Sequence, residues 1–307
     1  MKKGMEWEVG LIEWIQKNLS FLNGPVGKVM SFIGGEMGLL IALLIILFCW
    51  KKETGKRITL TLLAVNTWLP MLKCAVLRPR PYMEHPERIR GVADVGGSAD
   101  LDDIAAQGYS FPSMHSASAA ALFVSLASEI KKRWAWILAV VFTFLVGFSR
   151  LVTGMHYPTD VLAGWSLGLV CAGICWLLEK KVSNEWIRHL ILLAVSLPGL
   201  FFVRTQDYYT SLGLLVGIIA AIHFEEKFVN YQDTRNVWAM ILRLVGAFAI
   251  YFALNTLLKL PFSKEFLDSV TMKAFLVRSA RYAIIIFVVI GLYPKLFPFF
   301  EKIGKKK

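Results

Sequence analysis

Charged side chains are scarce in this chain: they make up 18% of its 307 residues, against about 25% in ordinary soluble domains. Cysteine is rarer still. Cys49, Cys74, Cys171 and Cys175 all fall inside apolar runs and read as small buried hydrophobes. Cys171 and Cys175 share a helix face, but no histidine or second cysteine pair lies near them to complete a metal set. The period-2 alternation of a transmembrane barrel is missing, which leaves helices as the spanning solution. No basic stripe interleaved with aromatics lies outside the apolar runs, so no nucleic-acid partner is expected. Glu6 and Glu8 stand where a signal peptide needs its apolar core, and no cleaved signal is expected. Internal repeats and low-complexity tracts are also lacking.

What the chain has in excess is apolar length. Hydrophobic residues make up 56% of it, and the mean hydropathy is +0.55. The excess is gathered in runs of roughly 20 residues, enough to cross a bilayer core of about 30 Å. The fold class expected is an all-α, polytopic membrane helical bundle. Nine spans are expected, at about 37–50, 58–77, 112–130, 134–150, 158–178, 187–203, 208–224, 237–258 and 276–297. The net charge of +12 follows from the loops. The segments 51–57, 131–133, 180–188, 227–235 and 302–307 are basic, and the positive-inside rule assigns them to the cytoplasm. Segments 78–111, 149–160, 204–208 and 259–275 then face the other side, with the N-terminus outside and the C-terminus inside.

Three units are expected: an interfacial amphipathic segment over 1–35, a core over 36–182, and a four-span extension over 183–307. In the first, Trp7, Leu11, Ile12, Trp14, Ile15 and Leu19 fall near one helical face, with Glu6, Glu13 and Lys17 near the other. Residues 26–34 read as a short, weakly apolar piece. The stretch 82–110, with Arg88, Arg90 and several acids, reads as a solvated loop that is a candidate lid. His223, Arg243 and Lys259 lie in or near the extension spans and read as snorkelling side chains.

This topology brings three distant polar clusters to one membrane depth. Lys73 to Arg80 ends the second span. Pro112-Ser113-Met114-His115 opens the third. Arg150 ends the fourth, and His156 and Asp160 precede and open the fifth. Taken singly, the arginines read as headgroup anchors, the histidines as interfacial and Asp160 as a helix cap. Together they suit phosphoryl transfer. Lys73, Arg80 and Arg150 can neutralise phosphate oxygens. Ser113 and the amides that start the third helix add neutral donors. His156 can attack phosphorus, Asp160 can hold its other ring nitrogen, and His115 can protonate the leaving oxygen and then activate water. No metal or other cofactor is called for.

These residues carry a resemblance. Lys73-x6-Arg80-Pro81, Pro112-Ser113-Met114-His115 and Ser149-Arg150-x5-His156-x3-Asp160 are similar to the three signature motifs of the type 2 phosphatidic acid phosphatase (PAP2) and vanadium haloperoxidase superfamily. The resemblance covers about residues 37–180. The second motif departs from the family's Pro-Ser-Gly-His, with Met114 in place of glycine. The resemblance implies a metal-independent phosphatase with a phosphohistidine intermediate. It also implies phosphate binding by Lys73, Arg80, Ser113, the Met114 amide and Arg150. The apolar spans favour the membrane lipid phosphatase branch over the soluble haloperoxidases. The expected substrate is a phosphorylated lipid at the outer leaflet of the plasma membrane: a phosphatidate-like lipid, phosphatidylglycerophosphate or undecaprenyl pyrophosphate. A phosphotransferase, or a lipid carrier with a degenerate phosphatase site, are the alternative readings.

Overall fold

A computed structural model describes residues 5–23, 25–92 and 108–303. Among these residues the chain is helical throughout, without strands. An N-terminal helix α1 (Glu6–Asn18) leads to two half-length helices, α2 (Pro25–Gly34) and α3 (Glu36–Ile45), the latter prolonged by a π turn to Trp50. The long α4 (Lys52–Val76) and short α5 (Pro81–Glu84) follow, then α6 (Met114–Ile130), α7 (Arg133–Val152) and α8 (Pro158–Lys181). The extension comprises α9 (Glu185–Ser196), α10 (Gly199–Phe202), α11 (Gln206–Phe228), α12 (Val237–Leu257), α13 (Lys264–Asp268) and α14 (Met272–Ile286). A π turn and a 3-10 turn then carry α14 into α15 (Phe297–Phe300).

Helix α4 is the wall shared by both halves of the bundle. Leu62 packs with Leu39, Ala117, Ala121 and Leu122 on the core side. Its neighbour Leu63 packs with Leu215, Ile218, Ile222 and Ile285 on the extension side. Thr59, Thr61 and Thr67 are buried on the same helix. Each hydroxyl donates back to a carbonyl four residues earlier, at 2.7, 2.9 and 2.6 Å, so no polar group is left bare in an apolar setting. The left-handed Leu77 (φ 55°) ends the helix, and Arg78-Pro79-Arg80-Pro81 cannot continue it.

Small residues set how closely the helices cross. A Cβ on Gly164 would sit 2.5 Å from the Ser113 carbonyl oxygen, and one on Gly168 would strike the Ala117 carbonyl. The Gly164-x3-Gly168 stripe therefore lets α8 lie directly on the alanine- and serine-rich α6. Gly213 and Gly217 do the same for α11 against Ser279 and Ala283 of α14. The outer faces are apolar and bare: Leu162, Leu169, Val170, Ile174 and Leu177 of α8, and Ile241, Val245 and Phe252 of α12. Exposed tryptophans ring the two ends. Trp50, Trp134, Trp136, Trp176, Trp186 and Trp238 lie at one end, and Trp7 and Trp14 at the other, as an aromatic belt requires.

Seven helices are long and apolar enough to cross a bilayer, against the nine spans expected. The other two expected positions hold the shorter Met37–Trp50 and the 17-residue α6, whose serines and alanines permit its close crossing with α8. Residues 26–34 form part of the regular helix α2, which packs on α7 where Gly34 meets Val146. The two sets of loops segregate to opposite ends. Lys51 and Arg57 pair with Glu129, and Arg57 pairs with Glu179 at 3.1 Å, at one end. Arg78, Ser110 and Asp160 meet at the other.

One further expectation is corrected. Helix α1 is amphipathic, but the face it buries carries Glu8, Val9, Ile12 and Ile15, while Trp7, Leu11 and Trp14 face outward. Val9 and Ile12 pack on Tyr82, Ile89, Met155 and Tyr157, so α1 is docked on protein. A buried carboxylate is tolerated there because an arginine meets it. Arg88 and Arg90, still on the surface, lie against this same helix, α1. Arg88 pairs with Glu6 and Glu13 at 2.7 and 2.8 Å, and the Arg90 backbone exchanges hydrogen bonds with Gln16 at 2.8 and 3.0 Å. The central part of the candidate lid, 93–107, lies outside the described residues.

Candidate active site

The three clusters meet around His156. The loop after α7 turns at Gly154 (φ +68°), a conformation that glycine adopts freely. The Arg150 carbonyl then accepts from the amides of Met155 and His156 at 3.1 and 3.3 Å. This folds the histidine back beneath the arginine that precedes it in the motif. Both are enclosed: Arg150 is 0% exposed and His156 2%. Arg150 Nε donates to Ser149 Oγ at 3.2 Å.

His156 differs in one respect from expectation. Its Nδ1 lies 2.7 Å from the Ser110 carbonyl oxygen and 3.7 Å from Asp160 Oδ2. The carbonyl can only accept, so Nδ1 carries the proton and Nε2 keeps its lone pair. Asp160 acts one step removed. Its Oδ2 accepts from Ser110 Oγ at 2.5 Å and from the Tyr157 amide at 2.7 Å, and its Oδ1 accepts from Arg78 at 2.7 Å. Asp160 thus holds the Ser110 loop and caps α8, and the loop carbonyl orients the imidazole.

The free face of the ring, at Nε2, points to the cations. Arg80 Nη1 is 3.5 Å away and also donates to the Met155 carbonyl at 3.2 Å, while its Nε donates to Gly108 at 3.1 Å. Lys73, in the last turn of α4, donates to the Tyr109 carbonyl at 2.5 Å. Burial depresses the basicity of His156 well below the usual imidazole range, and Arg80, Lys73, Arg150 and His115 add to this in that order. Residues of all three motifs therefore act on one ring. His115 sits half-buried in the first turn of α6. Ser113 is the N-cap of that helix: its amide donates to the Asp160 carbonyl at 3.0 Å, and its Oγ accepts from Ser116 Oγ at 2.9 Å. Met114 is the first helical residue, among the positions whose N–H groups have no intrahelical acceptor.

Three residues outside the motifs complete the arrangement. Glu8 of α1, fully buried, accepts from Arg78 Nη2 at 2.5 Å and from the amide and hydroxyl of Thr159 at 3.1 and 2.5 Å. Arg78 lies over the Tyr157 ring at 3.9 Å. Asp207, at the start of α11, is among the charges acting on Lys73 and is the extension's contribution here. Only Glu8 left a trace in sequence, as an acid at i, i+4, i+7 register with Ile12 and Ile15 on an apolar stripe. Ser110 and Asp207 carry no such mark.

A multi-pass membrane protein with three phosphate-type motifs gathered at one end of its bundle is the class this geometry defines. The chain belongs to the PAP2 superfamily. The family model for the PAP2 superfamily matches residues 55–183, and that for the PAP2 superfamily phosphatase transmembrane extension matches residues 209–305. Among curated proteins, the chain is similar to the undecaprenyl-diphosphatase of Sulfolobus acidocaldarius, 44% identical over 20% of this chain and 29% of that protein. It is similar to the lipid A 4'-phosphatase of Bacteroides thetaiotaomicron, 39% identical over 36% of this chain and 49% of that one. It also resembles the phosphatidylglycerophosphatase B of Bacillus subtilis, 41% identical over 25% and 42%. The matches span less than half the length of each of these three relatives. No solved structure matches the chain.

Proposed function

We propose that the protein is a lipid phosphate phosphatase that works through a phosphohistidine, with its site on the extracytoplasmic side of the plasma membrane. The observation that carries this reading is the His156 ring, with Nδ1 held by the Ser110 carbonyl and the Nε2 lone pair turned toward Arg80. Lys73, Arg80 and Arg150 hold the phosphate oxygens, joined by Ser113 and the Met114 amide at the start of α6. His156 Nε2 forms the bond to phosphorus as the bond from phosphorus to the lipid oxygen breaks. His115 delivers a proton to that oxygen, then takes one from the water that cleaves the phosphohistidine and releases phosphate. The charge on the transferring group is met by side-chain cations. Both oxygens of Asp160 are already engaged by Arg78, Ser110 and Tyr157.

The substrate class follows from the surroundings. The exposed faces of α8 and α12 are apolar and the site lies at a bundle end, so the ester is carried by a lipid: phosphatidate-like, phosphatidylglycerophosphate or polyprenyl pyrophosphate. The names of the three relatives support the same class. Sidedness rests on the basic loops gathered at the opposite end. Residues 36–182 form the catalytic unit in this reading, and 183–307 form an extension that borders it at Asp207. Purified protein offered each of these lipids tests the proposal: release of inorganic phosphate is expected. A labelled acceptor without free phosphate would point instead to phosphotransfer, and binding without turnover to a carrier.

A further inference from the structure

The opposite end of the bundle holds a second cluster of chemically capable side chains that the phosphatase chemistry does not use. Glu185 and His189 lie on the first turns of α9, and His223 and Glu226 on the last turns of α11. Ligand atoms of Glu185, His223 and Glu226 all lie within 4.8 Å of one another. His189, buried to 2% exposure, turns Nδ1 toward His223 Nε2 at 3.0 Å, and its Nε2 is 3.9 Å from Glu185 Oε1.

We propose that Glu185, His223 and Glu226 bind one divalent transition-metal ion of the zinc class, which pins α9 to α11, with His189 orienting His223. One imidazole and two carboxylates make a nitrogen–oxygen donor set that suits zinc better than the hard, all-oxygen cations. Two carboxylates this close repel one another unless cations or a shared proton offset the charge. Arg188 approaches Glu185 Oε1 at 3.7 Å, and Lys56 of α4 touches Glu226 Oε1 at 2.7 Å. That contact leaves Glu226 Oε2 for the ion and links the site to the helix that forms the wall of the catalytic half. The Trp186 ring lies flat on His223, with centroids 3.5 Å apart and planes 2° from parallel, so the imidazole is already oriented. The position is a junction: α9 follows directly on α8, and in membranes helix pairs gain little from apolar contact alone. An ion here holds two helices of the extension together without touching the phosphate site. That site lies at the far end of α8, 24 residues or about 36 Å away.

The test uses the full-length protein in detergent, stripped of metal and titrated with Zn2+ and with Co2+. One ion per chain is expected, with the absorption of tetrahedral Co2+, a quench of Trp186 fluorescence and a thermal midpoint raised by Zn2+. His223→Gln and Glu185→Gln should each weaken Co2+ binding at least a hundredfold and remove the thermal shift. Phosphate release by His223→Gln, at the wild-type rate, reports that the variant is folded. Absence of stoichiometric binding to the wild type would overturn the proposal. So would binding undiminished in both variants, or binding lost in His156→Ala but kept in His223→Gln, which would place the ion at the catalytic histidines. The metal-binding and thermal readouts are independent of lipid turnover, so the failure of either proposal is distinguishable from the failure of the other.

Discussion

Glu8→Gln is the most discriminating single change. Glu8 lies far in the chain from the nearest motif, yet its two oxygens answer four donors: Arg78 Nη2 and the Met5 amide at Oε2, and the Thr159 amide and hydroxyl at Oε1. A glutamine keeps the shape but turns one oxygen into an NH2 group. With its oxygen toward Arg78, the amide N–H of Thr159 meets a donor and is left unsatisfied; with the oxygen toward Thr159, both Arg78 and the Met5 amide meet a donor. A buried unsatisfied donor costs about 1–3 kcal/mol, and a bond to a charged group is worth about 1.5–3 kcal/mol against about 1 for a neutral one. Together these put the loss at about 2–4 kcal/mol in the docking of α1. Arg78 keeps Asp160 as a partner, so its charge is not stranded. The change is thus felt along the chain Arg78, Asp160, Ser110, His156, as a looser imidazole. We expect a lower thermal midpoint and kcat/KM for phosphate release reduced at least about tenfold, equivalent to about 1.4 kcal/mol. In a double-mutant cycle with Arg78→Lys the two effects should couple. Wild-type kcat/KM with an unchanged midpoint would refute the reasoning, as would strictly additive effects in the cycle.

Other outcomes follow from the same geometry. His156→Ala should abolish phosphate release, while chelator leaves the rate at assay temperature unchanged; near-normal release by the variant would remove the nucleophile from the mechanism. The pH profile has a definite sign. The ring is held neutral below the ordinary imidazole range by burial first and Arg80 second, so Nε2 stays available as pH falls through about 6.5, and the acid limb of kcat/KM set by His156 lies lower. Arg80→Gln removes the largest charge acting on the ring and should move that limb upward in pH, even as the overall rate drops; a limb fixed in place would assign it to another group. Gly168→Val places a side chain against the Ala117 carbonyl and should separate α6 from α8. Activity is then expected to fall more steeply than in Gly173→Val, where nothing lies within 4 Å of an added Cβ. Equal effects at the two positions would mean that the close crossing does not set the site.

The candidate site residues stand out in the sequence because phosphate chemistry restricts residue types. Lys73, Arg80, Ser113, His115, Arg150, His156 and Asp160 stand at helix ends, in a spacing that short segments record directly. The apolar runs were legible for a similar reason, since a bilayer imposes one length on every crossing. What misled was the assumption that each helix answers to the lipid alone. Helix α1 was read by its tryptophans, but its buried face is decided by Glu8 meeting Arg78, a partner 70 residues away. Helix α6 is only 17 residues long, and its serines and alanines serve the close crossing with α8.

From its own order of residues, the chain determined a polytopic helical bundle, the ends at which its charges collect and the residue types able to hold and attack a phosphate. Those depend on local pattern and on the solvent each segment meets. The tertiary structure alone decided that the Ser110 carbonyl, and not Asp160, holds His156, that Glu8 belongs to the site's support, and that His189 meets His223. Each of these is a contact between distant segments, settled by which buried polar group finds a partner once the helices have packed.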